Sequence, residues 1–191
     1  MRITGGTAAG RRFTLPRGLA VRPTTDRIRG ALFNILGPPA GMTFLDLYSG
    51  SGAVGFEALS RGASRAVFVE HDAVAARSIG KNLAGLGFEG RYEILAMEVR
   101  RSIKLLMDRG ERFDVLFADP PYGEGLIDET LRYRRDGNLV AVAGVLILQH
   151  SRRECPSEPL PAVFSMMDRR RYGETVLSFL KYKAEAGGGG I

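Results

Sequence analysis

The sequence predicts an α/β fold: a doubly wound, mostly parallel, seven-stranded sheet with a terminal antiparallel hairpin and a small N-terminal β-hairpin and helix extension. Apolar strand segments alternate with helical segments between residues 44 and 149. Repeated strand–helix units of this kind form parallel sheets with right-handed crossovers. No helical segment separates the last two strands, 163–167 and 175–181. These two are therefore expected to pair antiparallel.

The N-terminal extension is predicted over residues 1–37. Residues 3–15 are rich in glycine and broken by turns, which indicates short strands or a hairpin rather than a helix. Residues 16–23 form a predicted linker that begins and ends with proline. A helical period then continues until a Gly-Pro-Pro stop, and three residues could cap its start: Thr24, Thr25 or Asp26.

Residues 38–183 are expected to form the main domain, followed by a disordered glycine-rich tail at 184–191. The apolar run 139–148 is predicted to be a buried strand with a preceding turn. The predicted strands are 44–48, 66–70, 91–95, 113–118, 145–149, 163–167 and 175–181. The predicted helices of this domain are 53–61, 72–86, one ending at 107, and 124–134.

The composition is that of an ordinary globular protein, with 191 residues, 45% hydrophobic and 25% charged. One cysteine and two histidines argue against a disulfide framework, a zinc cluster or another metal centre. The longest apolar run is about half of the ~20 residues that a membrane-spanning helix needs. The N-terminus also lacks the apolar core of a secretion signal, so the cytoplasm is the expected compartment.

The net charge of +6 is concentrated in the first 30 residues. That segment holds seven arginines and one acidic residue, whereas the basic and acidic residues of the rest of the chain balance. A neutral body with a basic arm is typical of proteins that bind a phosphate-rich partner such as nucleic acid. The alternative is an arginine-rich solvated surface. A second, weaker basic cluster is formed by Arg169, Arg170 and Arg171.

A glycine-rich loop follows the first strand of the main domain. Gly50, Gly52 and Gly55 are spaced as G-x-G-x-x-G between a strand and a helix, where glycine allows a tight turn and a close approach of a ligand to the backbone. Glu70 lies at the end of the second strand. An acid at this position can accept hydrogen bonds from both ribose hydroxyls of a nucleoside cofactor.

Two nucleoside cofactors, NAD and S-adenosylmethionine (SAM), are compatible with this loop. Asp46, at the end of the strand before the loop, would repel a pyrophosphate but would attract the ammonium group of SAM. The loop contains no Arg or Lys, although backbone N–H groups alone can hold a pyrophosphate. Glu98, after the third strand, is placed to accept the adenine amino group. These residues favour SAM.

The fourth strand ends in a rigid turn, Asp119-Pro120-Pro121-Tyr122. Two prolines cannot continue a central strand, so the turn is exposed and stiff. The Asp119 carboxylate and the Pro120 carbonyl are two fixed acceptors, and Tyr122 offers a flat ring for stacking a base. This set suits the exocyclic amino group of a nucleobase, because hydrogen bonds from both of its N–H groups direct the nitrogen lone pair toward an electrophile.

These motifs resemble those of the class I SAM-dependent methyltransferases that act on amino groups. The whole set resembles more closely the bacterial RsmD family, which methylates N2 of a guanine in 16S ribosomal RNA. The resemblance covers about residues 1–182 and implies a Rossmann-like methyltransferase fold. The segments that carry it are 22–27, 32–34, 45–52, 57–63, 119–122 and 172–178.

The resemblance implies a cofactor site, a catalytic turn and an RNA-binding surface. The implied cofactor contacts are Asp46, Tyr48, Gly50, Ser51, Gly52, Glu70, His71, Glu98, Val99 and Asp119. The implied catalytic residues are Asp119, Pro120 and Tyr122. The implied substrate contacts are Arg22, Thr24, Thr25, Arg27 and Tyr122, and the charge of the basic arm adds Arg11 and Arg12 as predicted substrate contacts. Three positions depart from the family pattern: Glu98 stands for a usual Asp, Gln149 for a commoner Glu, and Tyr48 for a usual Phe, which keeps the aromatic ring.

The expected partner is 16S ribosomal RNA, within the small ribosomal subunit or one of its assembly intermediates, bound by a monomer. Two other functions stay open. A DNA adenine-N6 methyltransferase can use the same four-residue turn, although the chain has no evident target-recognition domain. A non-catalytic RNA-binding assembly factor could keep the fold without the reaction, although the intact acceptor turn argues against it.

Overall fold

The computed structural model describes residues 1–15, 24–123, 125–132 and 139–183, and within them lie seven strands and five helices. The strands are β1 Thr43–Asp46, β2 Arg65–Val69, β3 Tyr92–Leu95, β4 Phe113–Ala118, β5 Val140–Ser151, β6 Phe164–Tyr172 and β7 Thr175–Tyr182. The helices are α1 Asp26–Leu36, α2 Ala53–Ser60, α3 Ala73–Leu86, α4 Val99–Asp108 and α5 Leu126–Arg132.

All seven strands form one sheet, in the order β3-β2-β1-β4-β5-β7-β6. The pairs β1–β2, β2–β3, β1–β4 and β4–β5 are parallel, whereas β7 is antiparallel to both β5 and β6. The predicted seven-stranded sheet with its terminal antiparallel hairpin is therefore confirmed. The strand order reverses between β1 and β4, and ligands of open α/β sheets bind at the carboxyl ends of the strands at such a point.

Two apolar cores lie on opposite faces of the sheet. Buried side chains of α1, α2 and α3 form one core with the N-terminal hairpin, and those of α4 and α5 contribute to the other. Both faces of β1 and β2 are thus covered, which explains why these strands read as continuous apolar runs rather than alternating ones. No helix in the described part of the chain is long and apolar enough to cross a membrane.

The N-terminal hairpin packs against α2. Arg2 and Arg12 form an antiparallel bridge, and the Ile3 amide donates to the Arg11 carbonyl at 3.0 Å. The Phe13 ring meets Phe56 of α2 edge-on, with 5.1 Å between ring centroids. The predicted linker 16–23 and the predicted tail 184–191 lie outside the described residues.

Strand β5 is longer than predicted. The turn expected before residue 145 is a bulge inside the strand, because pairing with β4 shifts register between Phe113 and Val115 and then resumes. Ala143 adopts φ 64°, and a Cβ on Gly144 would come within 2.9 Å of backbone oxygens of two neighbouring residues. β6 also extends beyond the predicted 163–167 and carries Arg169, Arg170 and Arg171 near its end.

Candidate active site

A cavity of about 810 Å³ opens at the carboxyl ends of β1, β2, β4 and β5. The start of α1 and the segment before α4 complete its walls. The cavity lies where the strand order reverses, as expected for this type of sheet. It brings together most of the site residues predicted from the sequence: Thr24, Thr25, Asp46, Tyr48, Gly50, Ser51, Glu70, His71, Glu98, Val99, Asp119, Pro120 and Tyr122.

The loop after β1 folds back on itself before α2 begins. The Ser49 amide donates to the Val69 carbonyl at 2.9 Å, and the Gly52 amide donates to the Ser49 carbonyl at 2.7 Å. Gly50 and Gly52 have φ values of 51° and 76°, in the left-handed region that favours glycine. The tight turn leaves Gly50 and Ser51 on the cavity wall.

Gly52 and Gly55 make close packing contacts and lie outside the residues that line the cavity, so the predicted cofactor contact of Gly52 stays a prediction. A Cβ on Gly52 would come within 2.6 Å of the Phe56 ring, and one on Gly55 within 2.2 Å of the Phe68 ring. Neither glycine lines the cavity, although Gly52 was predicted to contact the cofactor. The third glycine of the pattern allows α2 to pack closely on β2.

Glu70 follows β2 and connects the glycine loop to the start of α3. One carboxylate oxygen accepts a hydrogen bond from the Gly50 amide at 2.7 Å, and the other accepts one from the Asp72 amide at 2.8 Å. The exposed His71 ring lies 3.3 Å from the same carboxylate. Asp72 in turn caps α3 by accepting from two amides in its first turn. Glu70 is therefore fixed in orientation at the cavity edge.

Asp46 ends β1 at the base of the cavity and is only 1% exposed. Burial, followed by the negative charges of Asp119 and Glu70, raises the pKa of Asp46 to about 8. The Gly55 amide donates to Oδ2 at 3.3 Å, and among the described residues Oδ1 has no hydrogen-bond partner. The floor of the cavity thus offers a buried carboxyl group with one acceptor to spare, a suitable place for a cation.

The turn after β4 forms the side of the cavity opposite Glu70. Pro120 is buried there and Tyr122 is 40% exposed, and both line the cavity with Asp119. Gln149, at the end of the neighbouring β5, donates a hydrogen bond from Nε2 to Asp119 Oδ2 at 2.6 Å. The Asp119 carboxylate is thereby oriented by a neutral side chain.

Residues at the start of α4 and on α5 form another wall of the cavity. Glu98 occupies the N-cap position of α4 but makes no side-chain cap hydrogen bond, and it lines the cavity together with Val99. The Tyr48 hydroxyl lies 3.3 Å from the Thr130 hydroxyl of α5. Glu98 therefore lies on the cavity wall without capping α4, and its predicted contact with the adenine amino group stays a prediction.

The structure places only some of the predicted substrate residues at the cavity. Thr24 and Thr25 line the cavity, and the Thr25 hydroxyl also caps α1 by accepting from the Ile28 amide at 3.3 Å. Arg27 is exposed in the first turn of α1 and is not among the residues that line the cavity. Arg12 is exposed on the hairpin. Arg22 lies outside the described residues.

Arg11 has a structural role. Its guanidinium donates to the Leu86 carbonyl at 2.8 Å and to the Gly85 carbonyl at 2.5 Å, at the end of α3. Cations at this position satisfy the last carbonyls of a helix and its dipole. Because α3 runs from the cavity edge to the opposite edge of the sheet, Arg11 lies far from the cavity. Its predicted contact with substrate stays a prediction.

Arg29, counted above as part of the basic arm, is fully buried. It donates to the Thr24 carbonyl at 2.8 Å and lies 3.7 Å from the buried Glu57 carboxylate of α2. Glu57 also accepts from Arg61 at 2.8 Å. The pair joins α1 to α2, and the Arg29 charge is not available to a partner. Charge counting along the sequence could not separate it from the exposed arginines.

Sequence reasoning did not assign Gln149 and Thr175, which both line the cavity. The sequence did contain a signal for Gln149. The alternation of strands and helices predicts parallel strands, and the carboxyl ends of neighbouring parallel strands lie at the same edge of the sheet. The register pairs Ala118 with Leu148, so Asp119 and Gln149 follow side by side. Thr175 begins β7, and only the antiparallel pairing of that strand with β5 brings it to this edge.

The fold and the cavity together define a class I methyltransferase. A glycine loop follows β1, an acid follows β2, and an Asp-Pro-Pro-Tyr turn follows β4, all at one edge of a sheet that ends in an antiparallel hairpin. A solved structure described as a putative methyltransferase, yhhF, from Escherichia coli has the same fold. Its TM-score is 0.84 at 30% identity, covering 97% of this chain and 99% of that chain.

Sequence comparisons identify the family. The family model described as conserved hypothetical protein 95 matches residues 1–181. A relative from Escherichia coli strain K12, ribosomal RNA small subunit methyltransferase D, is 33% identical over 98% of this chain and 92% of its own length. A putative rRNA methyltransferase, YlbH, from Bacillus subtilis is 31% identical over 95% and 98% of the two chains. The chain belongs to this family, the RsmD family, and the resemblance drawn from the motifs is confirmed.

Proposed function

We propose that this protein transfers a methyl group from SAM to the exocyclic N2 amino group of a guanine in 16S ribosomal RNA of the small subunit. The names of its relatives support a ribosomal RNA substrate. The observation that carries the proposal is the arrangement of one cavity. Its glycine loop and Glu70 lie on one side, and the turn from Asp119 to Tyr122 lies on the other.

The residues on the β1–β2 side fit the cofactor. The Glu70 carboxylate, held by two backbone amides, keeps lone pairs for the ribose hydroxyls. Asp46 Oδ1, which has no partner among the described residues, suits the ammonium group of the methionine part. Glu98 is free of a helix-cap hydrogen bond and is assigned to the adenine amino group. When bound, SAM supplies a methyl group on a sulfonium, which loses its positive charge on transfer.

The residues on the β4 side fit a base. Asp119 and the Pro120 carbonyl accept hydrogen bonds from the exocyclic amino group, and the exposed Tyr122 ring stacks on a flipped-out base. The two acceptors stabilise the positive charge that grows on the nitrogen and aim its lone pair into the cavity. Asp119 need not act as a strong base, because the proton can leave after transfer. Catalysis then comes mainly from alignment.

The RNA partner also involves the N-terminal extension. We assign residues 1–37 to RNA binding and residues 38–183 to methyl transfer, and we expect the protein to act as a monomer in the cytoplasm. Arg12 and Arg27 are exposed, and Arg27 is in the first turn of the helix whose start lines the cavity. Sedimentation at working concentration tests the monomer.

Methyl transfer from labelled SAM tests the proposal directly. Purified protein is incubated with 30S particles, naked 16S RNA and duplex DNA, and the labelled nucleoside is identified after digestion. We expect N2-methylguanosine from a single site in 16S RNA. Label on adenine in DNA would instead assign a DNA adenine-N6 methyltransferase. RNA binding with no transfer to any of the three would assign a non-catalytic assembly factor. Asp119→Ala protein is the control for contaminating activity.

A further inference from the structure

We propose that Gln149 is a specificity-determining residue: its Oε1 accepts the N1–H of the target guanine while its Nε2 orients Asp119. The inference rests on the proposed function, because it concerns how the same cavity selects its base. It assigns a role to a side chain of β5, outside the loop and turn motifs.

The position of Gln149 follows from the sheet. β4 and β5 are parallel and in register up to Ala118 and Leu148, so Asp119, just after β4, lies beside Gln149, which is still within β5, at the cavity. The distance of 2.6 Å between Gln149 Nε2 and Asp119 Oδ2 is that of a short hydrogen bond. A carboxylate only accepts, so the amide nitrogen must face Asp119 and Oε1 is the other end of the group.

The Gln149 amide oxygen is a buried acceptor without a donor. The residue is 4% exposed, and Oε1 has no hydrogen-bond partner within the described residues. Buried amide oxygens are nearly always paired, and an unpaired one is destabilising. Gln149 lines the cavity, so its amide group lies where a base that fills the cavity can bring an N–H to it. The unpartnered oxygen therefore points to a donor on the substrate.

Guanine presents the matching pattern. Its N2 amino group and its N1–H are adjacent donors on one edge, whereas N1 of adenine and of 2-aminopurine is an acceptor. A base whose amino group is held at Asp119 brings its N1 to the neighbouring side chain. The N1–H of guanine donates a hydrogen bond to Gln149 Oε1 at this position. The N1 lone pair of adenine or 2-aminopurine would instead face the lone pairs of Oε1, which is unfavourable. Sites that hydrogen-bond a substrate N–H strongly reject analogues that lack it.

A glutamine serves this purpose better than a glutamate. The amide offers a donor to Asp119 and an acceptor to the base at the same time. A carboxylate at 2.6 Å from Asp119 would have to share a proton with it, since two like charges at that distance cannot both ionise freely.

The test combines an altered base with an altered side chain. Once the methylated guanine is mapped, 30S particles are reconstituted with 16S RNA that carries guanine or 2-aminopurine at that position. The ratio of kcat/KM for the two bases is measured for the wild type, Gln149→Leu and Gln149→Glu. We expect the wild type to prefer guanine by about 100-fold or more, and Gln149→Leu to reduce that ratio by about tenfold or more.

Two controls separate a specificity role from a structural one. Gln149→Glu keeps an acceptor toward the cavity and is expected to restore most of the preference, with a rate that varies with pH. Ser178→Ala removes the partner of the buried His150 on the same strand pair, without touching the cavity, and should leave the ratio unchanged. An equal loss on both bases in Gln149→Leu, with an unchanged ratio, overturns the inference. No N2 methylation by the wild type overturns the proposed function instead, and the inference with it.

Discussion

The Gly50 amide donates a hydrogen bond to the Glu70 carboxylate at 2.7 Å, so the acid after β2 holds the glycine loop after β1. The two motifs lie 20 residues apart in the chain and form one structural unit. Glu70 therefore has a structural role in addition to its proposed contact with the ribose. It fixes the conformation of the loop against which the cofactor binds, and its loss should affect both functions.

Substitution of Glu70 by Ala should weaken SAM binding. Removing one partner of buried hydrogen bonds costs about 1–3 kcal/mol, and release of the Gly50 amide adds to the loss of affinity. Calorimetry with SAM, with its demethylated product and with NAD measures the effect. Glu89→Ala, which removes an exposed glutamate after α3, is the matched control. Tight NAD binding by the wild type, without a SAM signal, would contradict the assignment of the cofactor.

Most of the framework could be predicted from the sequence because it depends on local patterns. Strand–helix alternation predicts the sheet, and glycine spacing predicts the loop that Gly50 and Ser51 form. What the sequence could not supply depends on packing between distant segments. The burial of Arg29 against Glu57 and of Asp46 beneath the cavity arises only when α1, α2 and the strands come together. An arginine reads the same in a sequence whether it is buried or exposed.

Asp119→Ala should abolish methyl transfer in a protein that stays folded. Loss of an aligned acceptor for developing charge lowers rates by about 10²–10³. Asp119 follows β4 and lies beside Gln149 rather than in the apolar core, so the fold should persist. Methyl transfer in single turnovers and thermal unfolding are measured together. Turnover close to that of the wild type would refute the assigned role.

Tyr122→Ala should weaken capture of the base rather than the chemical step itself. Stacking of a base on an aromatic ring contributes about 1–3 kcal/mol. The expected result is a higher KM for RNA with unchanged SAM affinity, and Tyr122→Phe should retain most of the binding. Equal loss in the Phe and Ala variants would assign the effect to the hydroxyl instead of the ring.

The raised pKa of Asp46 predicts that the free energy of unfolding depends on pH. Burial raises it from 3.8 to about 8 in the folded protein, so the folded state binds more protons than the unfolded state between these values. The contribution of Asp46 to stability is therefore greatest at low pH and decreases as pH rises toward 8. The slope from one such group is at most about 1.4 kcal/mol per pH unit.

Asp46→Asn isolates this contribution. The free energy of unfolding is measured in urea at several pH values for both proteins, so that groups common to both cancel. The variant should gain stability relative to the wild type as pH rises from about 5 to about 8. A difference between the two proteins that stays constant across this range would contradict the raised pKa.

The same group should make SAM binding depend on pH. An ammonium beside Asp46 favours the ionised carboxylate, so binding releases a proton when the carboxyl group starts out protonated. SAM affinity of the wild type should rise with pH until about 8 and then level off. Calorimetry in two buffers of different ionisation enthalpy measures the released proton. Asp46→Asn should bind SAM more weakly and should release no proton.

The structure distinguishes exposed arginines of the basic arm from an arginine with a structural role, and the two kinds should affect RNA binding differently. Arg12 and Arg27 are exposed, whereas Arg11 donates to the last carbonyls of α3. Each phosphate contact makes the fall of log affinity with log salt steeper by nearly one unit on a duplex, and by somewhat less on single strands. Removing Arg12 and Arg27 together should therefore reduce the slope by about one to two units, with SAM affinity unchanged.

Arg11→Ala is the contrasting variant. Since its guanidinium satisfies the end of α3 at the edge of the sheet away from the cavity, its loss should lower the melting temperature and leave the salt slope as it is. RNA binding across a salt series and thermal unfolding are measured on the same preparations. If Arg11→Ala reduced the slope as much as the double variant, the RNA surface would extend to the far end of α3. If neither variant changed it, the arm would be only a solvated surface, and the contacts would have to be sought at Arg169, Arg170 and Arg171 on β6.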